Sequence, residues 1–192
     1  MSRLGKLWSV LRGGPRTHSA RFAVRFETDG AVTLNATAPP GRLVPVVLNQ
    51  VGDWSGPVGM AMVVYRPEPE EWVAAGVPRA RALEGLLHIR DLIGAGGLDL
   101  AMFSELEALS IYVDRFGLLE ARGLGDGVAG LGARLAAAGF TKVARVSTIP
   151  RVPIPGYVWS DEDRTRVSGV VELLQLVEAQ PEATRAGPGS ES

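Results

Sequence analysis

Apolar and polar residues alternate from Arg21 to Glu27, and the alternation resumes at Val32, Leu34 and Ala36 after Thr28-Asp29-Gly30. A period of two on both sides of an Asp-Gly turn predicts an antiparallel hairpin. Leu43–Val51 and Val58–Tyr65 are more continuously apolar and predict two buried strands. Pro45 pushes the start of the first of these towards an edge or a bulge. Between them lies a turn-rich loop, Gly52-Asp53-Trp54-Ser55-Gly56-Pro57. Pro67, Pro69 and Pro78 bracket an irregular connection carrying Glu68, Glu70, Glu71 and Trp72.

The period then lengthens. Leu83, Leu86 and Leu87 set a helix over Arg79–Ile93, stopped by Gly94-Ala95-Gly96-Gly97. A second short helix is expected within Leu98–Ala108, and a second hairpin joins Leu109–Asp114 to Leu118–Arg122 around Arg115-Phe116-Gly117. A helix over Val128–Ala138, closed by Gly139, leads to a strand at Thr141–Ser147. The prolines of Ile149–Gly156 predict an extended strap with polyproline character. Ser160, with Asp163 three residues on, opens a last helix whose apolar face is Val167, Val170, Val171, Leu174 and Val177, and Pro181 ends it. Strands first, then mixed helices and strands, and a C-terminal helix predict an α+β fold.

The N-terminus follows another logic. Leu4, Leu7, Trp8 and Leu11 recur at i, i+3, i+4 and i+7, flanked by Arg3, Lys6 and Arg12. A helix of about eleven residues is marginal in water, so this stripe needs a surface: its own domain, a partner's groove or a membrane face. Residues 1–16 are therefore set apart as a basic amphipathic leader, residues 20–180 as a single α+β domain, and residues 181–192 as a disordered tail.

Composition narrows the chemistry. Hydrophobic residues are 46% and charged residues 21% of 192, with a formal net charge of −1, so no global field draws nucleic acid. The chain has no cysteine, which removes disulfides, thiol nucleophiles and thiolate metal sites and fits a reducing cytoplasm. Only Lys6 and Lys142 are lysine among 20 basic residues, and with 24 glycines this points to a GC-rich bacterial gene. His18 and His88 are the two histidines, and no HExxH, G-x-S-x-G or Walker A string occurs, so no residue is assigned to catalysis or to a metal.

Gly125-Asp126-Gly127-Val128-Ala129-Gly130 is a G-x-G-x-x-G string between a predicted strand and a predicted helix. Over GDGVAGLGARLAAAGFTKVARV it resembles the Rossmann fingerprint of flavin and nicotinamide enzymes, which implies a pyrophosphate seated on Gly125, Gly127 and Gly130. It departs from that pattern at Arg134, where the family carries a small residue, and in lacking an acidic residue at the end of the following strand. Asp161, Glu162 and Asp163 fit the first turn of a helix better than a metal site.

The leading expectation is a small, soluble, cytoplasmic bacterial interaction protein without catalytic activity: an adaptor, a regulatory subunit or a toxin-neutralising protein. Its contact residues would be Leu4, Leu7, Trp8, Leu11 and Trp54, its partner another protein, and weak peripheral membrane contact through the leader and homo-oligomerisation are both compatible with it. The alternative is a nucleotide- or dinucleotide-binding enzyme using the glycine turn. No bound cofactor follows from the leading reading.

Overall fold

The Asp-Gly turn joins β1 (Arg21–Phe26) to β2 (Val32–Thr37), paired antiparallel from Arg21 opposite Thr37 to Phe26 opposite Val32. A computed structural model describes residues 20–66, 68–146 and 157–179. The leader, the proline strap and the tail lie outside the described residues.

Next comes α1 (Pro40–Gly52), which corrects the strand expected at Leu43–Val51. Leu43, Val44, Val46, Val47, Gln50 and Val51 are its buried residues, a helical stripe rather than an alternation. Pro40 occupies the first turn, where a missing N–H costs nothing. Pro45 removes one hydrogen bond inside the helix, yet burial of the valine face outweighs that loss. β-branched residues mask such a helix because their local preference favours strands.

β3 (Val58–Arg66) matches its expectation, but the proline-bracketed connection is a strand, β4 (Glu68–Val77), paired antiparallel with β3. Pro69 sits on the side of β4 that has no partner at that position, where a missing donor is tolerated. The register slips between Val58 and Met60, and Gly76 takes a φ of 71° there, so β4 bulges and bends.

α2 (Arg79–Gly94) runs as predicted, and its glycine-rich end turns into β5 (Leu98–Ser104). This strand corrects the short helix expected over Leu98–Ala108. Leu98, Leu100 and Met102 are buried while Ala101 and Phe103 face outward, so the period is two. The second hairpin is present as β6 (Leu109–Val113) and β7 (Leu118–Gly123). α3 (Gly125–Ala137) starts three residues earlier than predicted, and β8 (Thr141–Lys142) is short among the described residues.

α4 (Asp161–Leu174) opens on the predicted capping box: Ser160 Oγ accepts from the Asp163 N–H, and the Asp163 carboxylate accepts from the Ser160 N–H, both at 3.1 Å. The helix stops earlier than Pro181. Gln175 is left-handed at φ 54°, and Val177, expected on the helix, instead belongs to β9 (Val177–Glu178) beside β4.

The sheet order is β8-β1-β2-β7-β6-β5-β3-β4-β9, antiparallel except where β8 meets β1. With four helices on a nine-stranded mixed sheet among the described residues, the fold is α+β. The helices neighbour one another in the order α3, α1, α2, α4 and cover one face of the sheet. Leu34, Met62, Leu100, Ile111 and Leu119 point from the strands into that layer, where they meet Leu43, Leu86 and Leu131. Each fully buried leucine contributes about 1.5–3 kcal/mol. The opposite face carries no helix among the described residues.

Candidate functional site

The uncovered face follows directly from strand alternation. Register places Val73, Ala61, Ala101, Tyr112, Glu120, Asn35 and Ala23 in one row across seven strands. The next row includes Gly59, Phe103, Ser110, Arg122 and Thr33. Two adjacent alanines, Ala61 and Ala101, leave a hollow in the middle of this surface. Val73, Ala75, Phe103, Ser110 and Tyr112 surround it, Glu120 and Arg122 reach its side, and its volume is about 400 Å³.

Its lining is overwhelmingly apolar, although it faces solvent. Phe103 remains 44% exposed and Tyr112 39% exposed. The aromatic wall is built around Gly59: a Cβ there would lie 1.8 Å from Phe103 Cε1, so the ring rests on bare backbone. The bend in β4 brings Ala75 to the opposite wall.

Further along the same face, Asp99 fixes Tyr112 in place. The Asp99 carboxylate is 6% exposed and accepts three hydrogen bonds, from Tyr65 Oη at 2.8 Å, Tyr112 Oη at 2.9 Å and the Arg115 backbone N–H at 2.7 Å. The Arg115 guanidinium lies 3.7 Å from the Tyr65 ring centre, a cation–π contact. A buried carboxylate held by three donors is a rigid hub, and it sets the tilt of the cleft's tyrosine wall.

Burial, followed by the hydrogen bond to Asp99, pushes the Tyr65 hydroxyl up to about 12. The same two causes raise Tyr112. An acid whose folded value is raised loses its proton later in the folded state than in the unfolded chain. Stability is therefore full below pH 10 and declines as pH climbs from about 10 towards 12. Tyr65→Phe is expected to lessen that alkaline decline when unfolding is followed by circular dichroism, and an unchanged pH profile would remove Tyr65 from the account.

Other residues singled out by sequence fall elsewhere. Trp54 is 1% exposed in the core, so its ring is not presented to a partner; Arg79 holds its carbonyl at 2.7 Å, and Glu107 accepts from Ser55 at 3.0 Å. Leu4, Leu7, Trp8 and Leu11 lie outside the described residues. His88 is exposed, with Nδ1 2.8 Å from the Glu84 carbonyl of its own helix. Among the described residues no group of three or more metal-ligating side chains converges, and no helix is long and apolar enough to cross a membrane.

The glycine string does lie between a strand and a helix, but its geometry differs from a dinucleotide turn. A single residue, Leu124, separates β7 from α3, so Gly125, Gly127 and Gly130 are all helical rather than in a phosphate-cradling loop. β7 is antiparallel to both neighbours, whereas the fingerprint needs a parallel crossover. Gly127 has a packing reason, since a Cβ there would sit 3.3 Å from the Glu107 carbonyl. Arg134, the departure from the pattern, ties α3 to α1 through Gln50 Oε1 at 3.0 Å and an ion pair with Asp53.

Sequence reading missed the cleft because it placed Asp99, Ala101 and Phe103 on a helix. The alternation of Leu98, Leu100 and Met102 with those three residues was the available signal. The two hydroxyls of the hollow are engaged, Ser110 donating to the Arg122 carbonyl at 3.1 Å and Tyr112 to Asp99; the hollow can bury apolar side chains, with Glu120 and Arg122 to orient what enters. Scans of protein-family models, of curated proteins and of solved structures find nothing that matches this chain.

Proposed function

We propose that this chain is a protein-interaction module without catalytic activity, of the adaptor, regulatory-subunit or toxin-neutralising kind, acting in a bacterial cytoplasm. The observation that carries the proposal is the apolar hollow of about 400 Å³ over Ala61 and Ala101 on a sheet face left uncovered among the described residues. Large contiguous apolar surface on a protein is a mark of an interaction site. Concavity adds pockets for anchoring side chains, which concentrate binding energy. Rigidity adds to both, because the Asp99 hub and the Gly59 notch hold Tyr112 and Phe103 before any partner arrives. The cytoplasmic and bacterial assignments draw support from the absence of cysteine and from the arginine- and glycine-rich composition.

The reading is tested by selecting binders from a random twelve-residue peptide library against the full chain. Apolar or aromatic anchors two to four positions apart are expected in the selected peptides. Their binding should move the amide resonances of Ala61, Ala101 and Tyr112. Ala101→Asp places a carboxylate on the floor of the hollow and should weaken them at least tenfold, since a desolvated, unpaired charge costs more than about 1.4 kcal/mol. Circular dichroism should be unchanged, because the Ala101 side chain faces away from the helical layer. Peptides that bind Ala101→Asp as tightly as the parent would end the proposal.

A further inference from the structure

We infer that the chain's own leader, residues 1–16, is the resident occupant of this cleft and that a partner must displace it. The inference rests on the cleft being a seat for an apolar segment, as proposed above. The leader brings what the surface lacks: Leu4, Leu7, Trp8 and Leu11 form an apolar stripe on a segment too short to hold a helix unaided. The hollow supplies what the stripe lacks, an apolar concavity of a size that takes several large groups.

Connection length permits the contact. β1 follows the leader, and β6 and β5 lie three and four places along the sheet from β1. At about 4.8 Å per strand and 3.4 Å per residue, the start of β1 is roughly 20 Å from Ala101 across the open face. Residues 12–19 span up to about 26 Å when extended, enough to lay the apolar stripe over Ala61 and Ala101.

Charge favours the same arrangement. Arg3, Lys6 and Arg12 flank the stripe. On the open face Glu120 shares the row of Ala101, and Glu71 stands opposite Val63 in the adjoining row. Neither carboxylate has an ion-pair partner among the described residues, whereas the nearby cation Arg122 is already paired with Asp29. A basic leader thus meets unmatched acidic groups beside the hollow, while the other strand-borne cations of this face, Arg21 and Arg25, stand on β1, four strands from β5.

Because the chain has no cysteine, one introduced thiol reports position cleanly. Ser9→Cys, on the polar side of the leader, carries a nitroxide in the full-length, nitrogen-15-labelled chain. The amides of Ala61, Ala101 and Tyr112 are expected to lose more than half their intensity, while Val167 and Val170 on α4 keep theirs. Adding Leu7→Asp and Leu11→Asp should restore the lost signals and raise the affinity of the selected peptides at least tenfold.

A sample mixing nitroxide-bearing, unlabelled chain with nitrogen-15 chain lacking the thiol should show no broadening. Broadening there would seat a second copy in the cleft and overturn the inference. So would a nitroxide that leaves the three amides untouched, even when the selected peptides bind the cleft; the interaction proposal would then survive alone. Broadening that Leu7→Asp and Leu11→Asp abolish, with no peptide binding to any form, would uphold leader docking and end the partner reading.

Discussion

Replacing Gly117 with alanine is expected to destabilise the fold by about 3–5 kcal/mol, a large share of the 5–15 kcal/mol typical of a whole protein. Gly117 closes the β6–β7 hairpin at φ 84°, where an L side chain is already strained. Its surroundings make the strain unavoidable. A Cβ would lie 2.0 Å from the Ala38 carbonyl oxygen, a backbone atom, and 3.3 Å from Pro40 Cδ. The Ala38 N–H donates to the Gly117 carbonyl at 3.0 Å, and Asp114 Oδ1 accepts from Phe116 and Leu118 N–H at 2.9 and 2.7 Å. The turn is therefore clamped between the end of β2 and the start of α1 and cannot drift aside. Gly30 is the control: its φ is 82°, but nothing stands within 4 Å, so Gly30→Ala should cost only about 1–2 kcal/mol. Urea unfolding of both variants gives the comparison; equal losses would show that the Ala38 contact relaxes freely.

Trp54→Ala is expected to cost a similar 3–5 kcal/mol by emptying a fully buried site. The value of this variant lies in what it should leave alone. Trp54 packs in the helical core, so the folded fraction of Trp54→Ala should bind cleft-directed peptides with unchanged affinity. Ala101→Asp should do the opposite, losing binding while keeping stability. The two variants together separate a tryptophan that builds the protein from a surface that works for it. A Trp54→Ala chain that folded normally but lost peptide binding would place the tryptophan in the contact surface after all.

Much of the architecture was legible wherever one local signal acted alone. The Asp-Gly hairpin, the helix at Arg79, the hairpin at Gly117 and the capping box at Ser160 each combine a clear period with a turn or cap residue. Legibility failed where two signals competed. In α1, valines spoke for a strand and Pro45 against a helix interior, while the spacing of Leu43, Val47 and Val51 spoke for a helix; burial on the sheet settled it. In β4, Pro69 and the run of glutamates hid a strand that tolerates them because its outer side is bare at that point. The cleft was illegible for a different reason. Alanines at positions 61 and 101 are unremarkable in a sequence, and they become a hollow only when antiparallel register sets them side by side. Trp54 attracted notice as an expensive residue in a turn-rich loop, but tertiary packing buries it.

The β4 margin of the sheet bears on how this protein behaves in a crowd. β8 and β9 are two residues each, and along β4 the outward main chain is interrupted by Pro69 on one side of β9 and by the kink at Gly76 on the other. A foreign chain trying to zip onto that border would meet a missing donor, an occupied stretch and a change of direction in turn. Edge addition along β4 is thereby discouraged without any loss of the broad apolar surface in the sheet's centre, so the molecule can stay sticky face-on while this border stays inert.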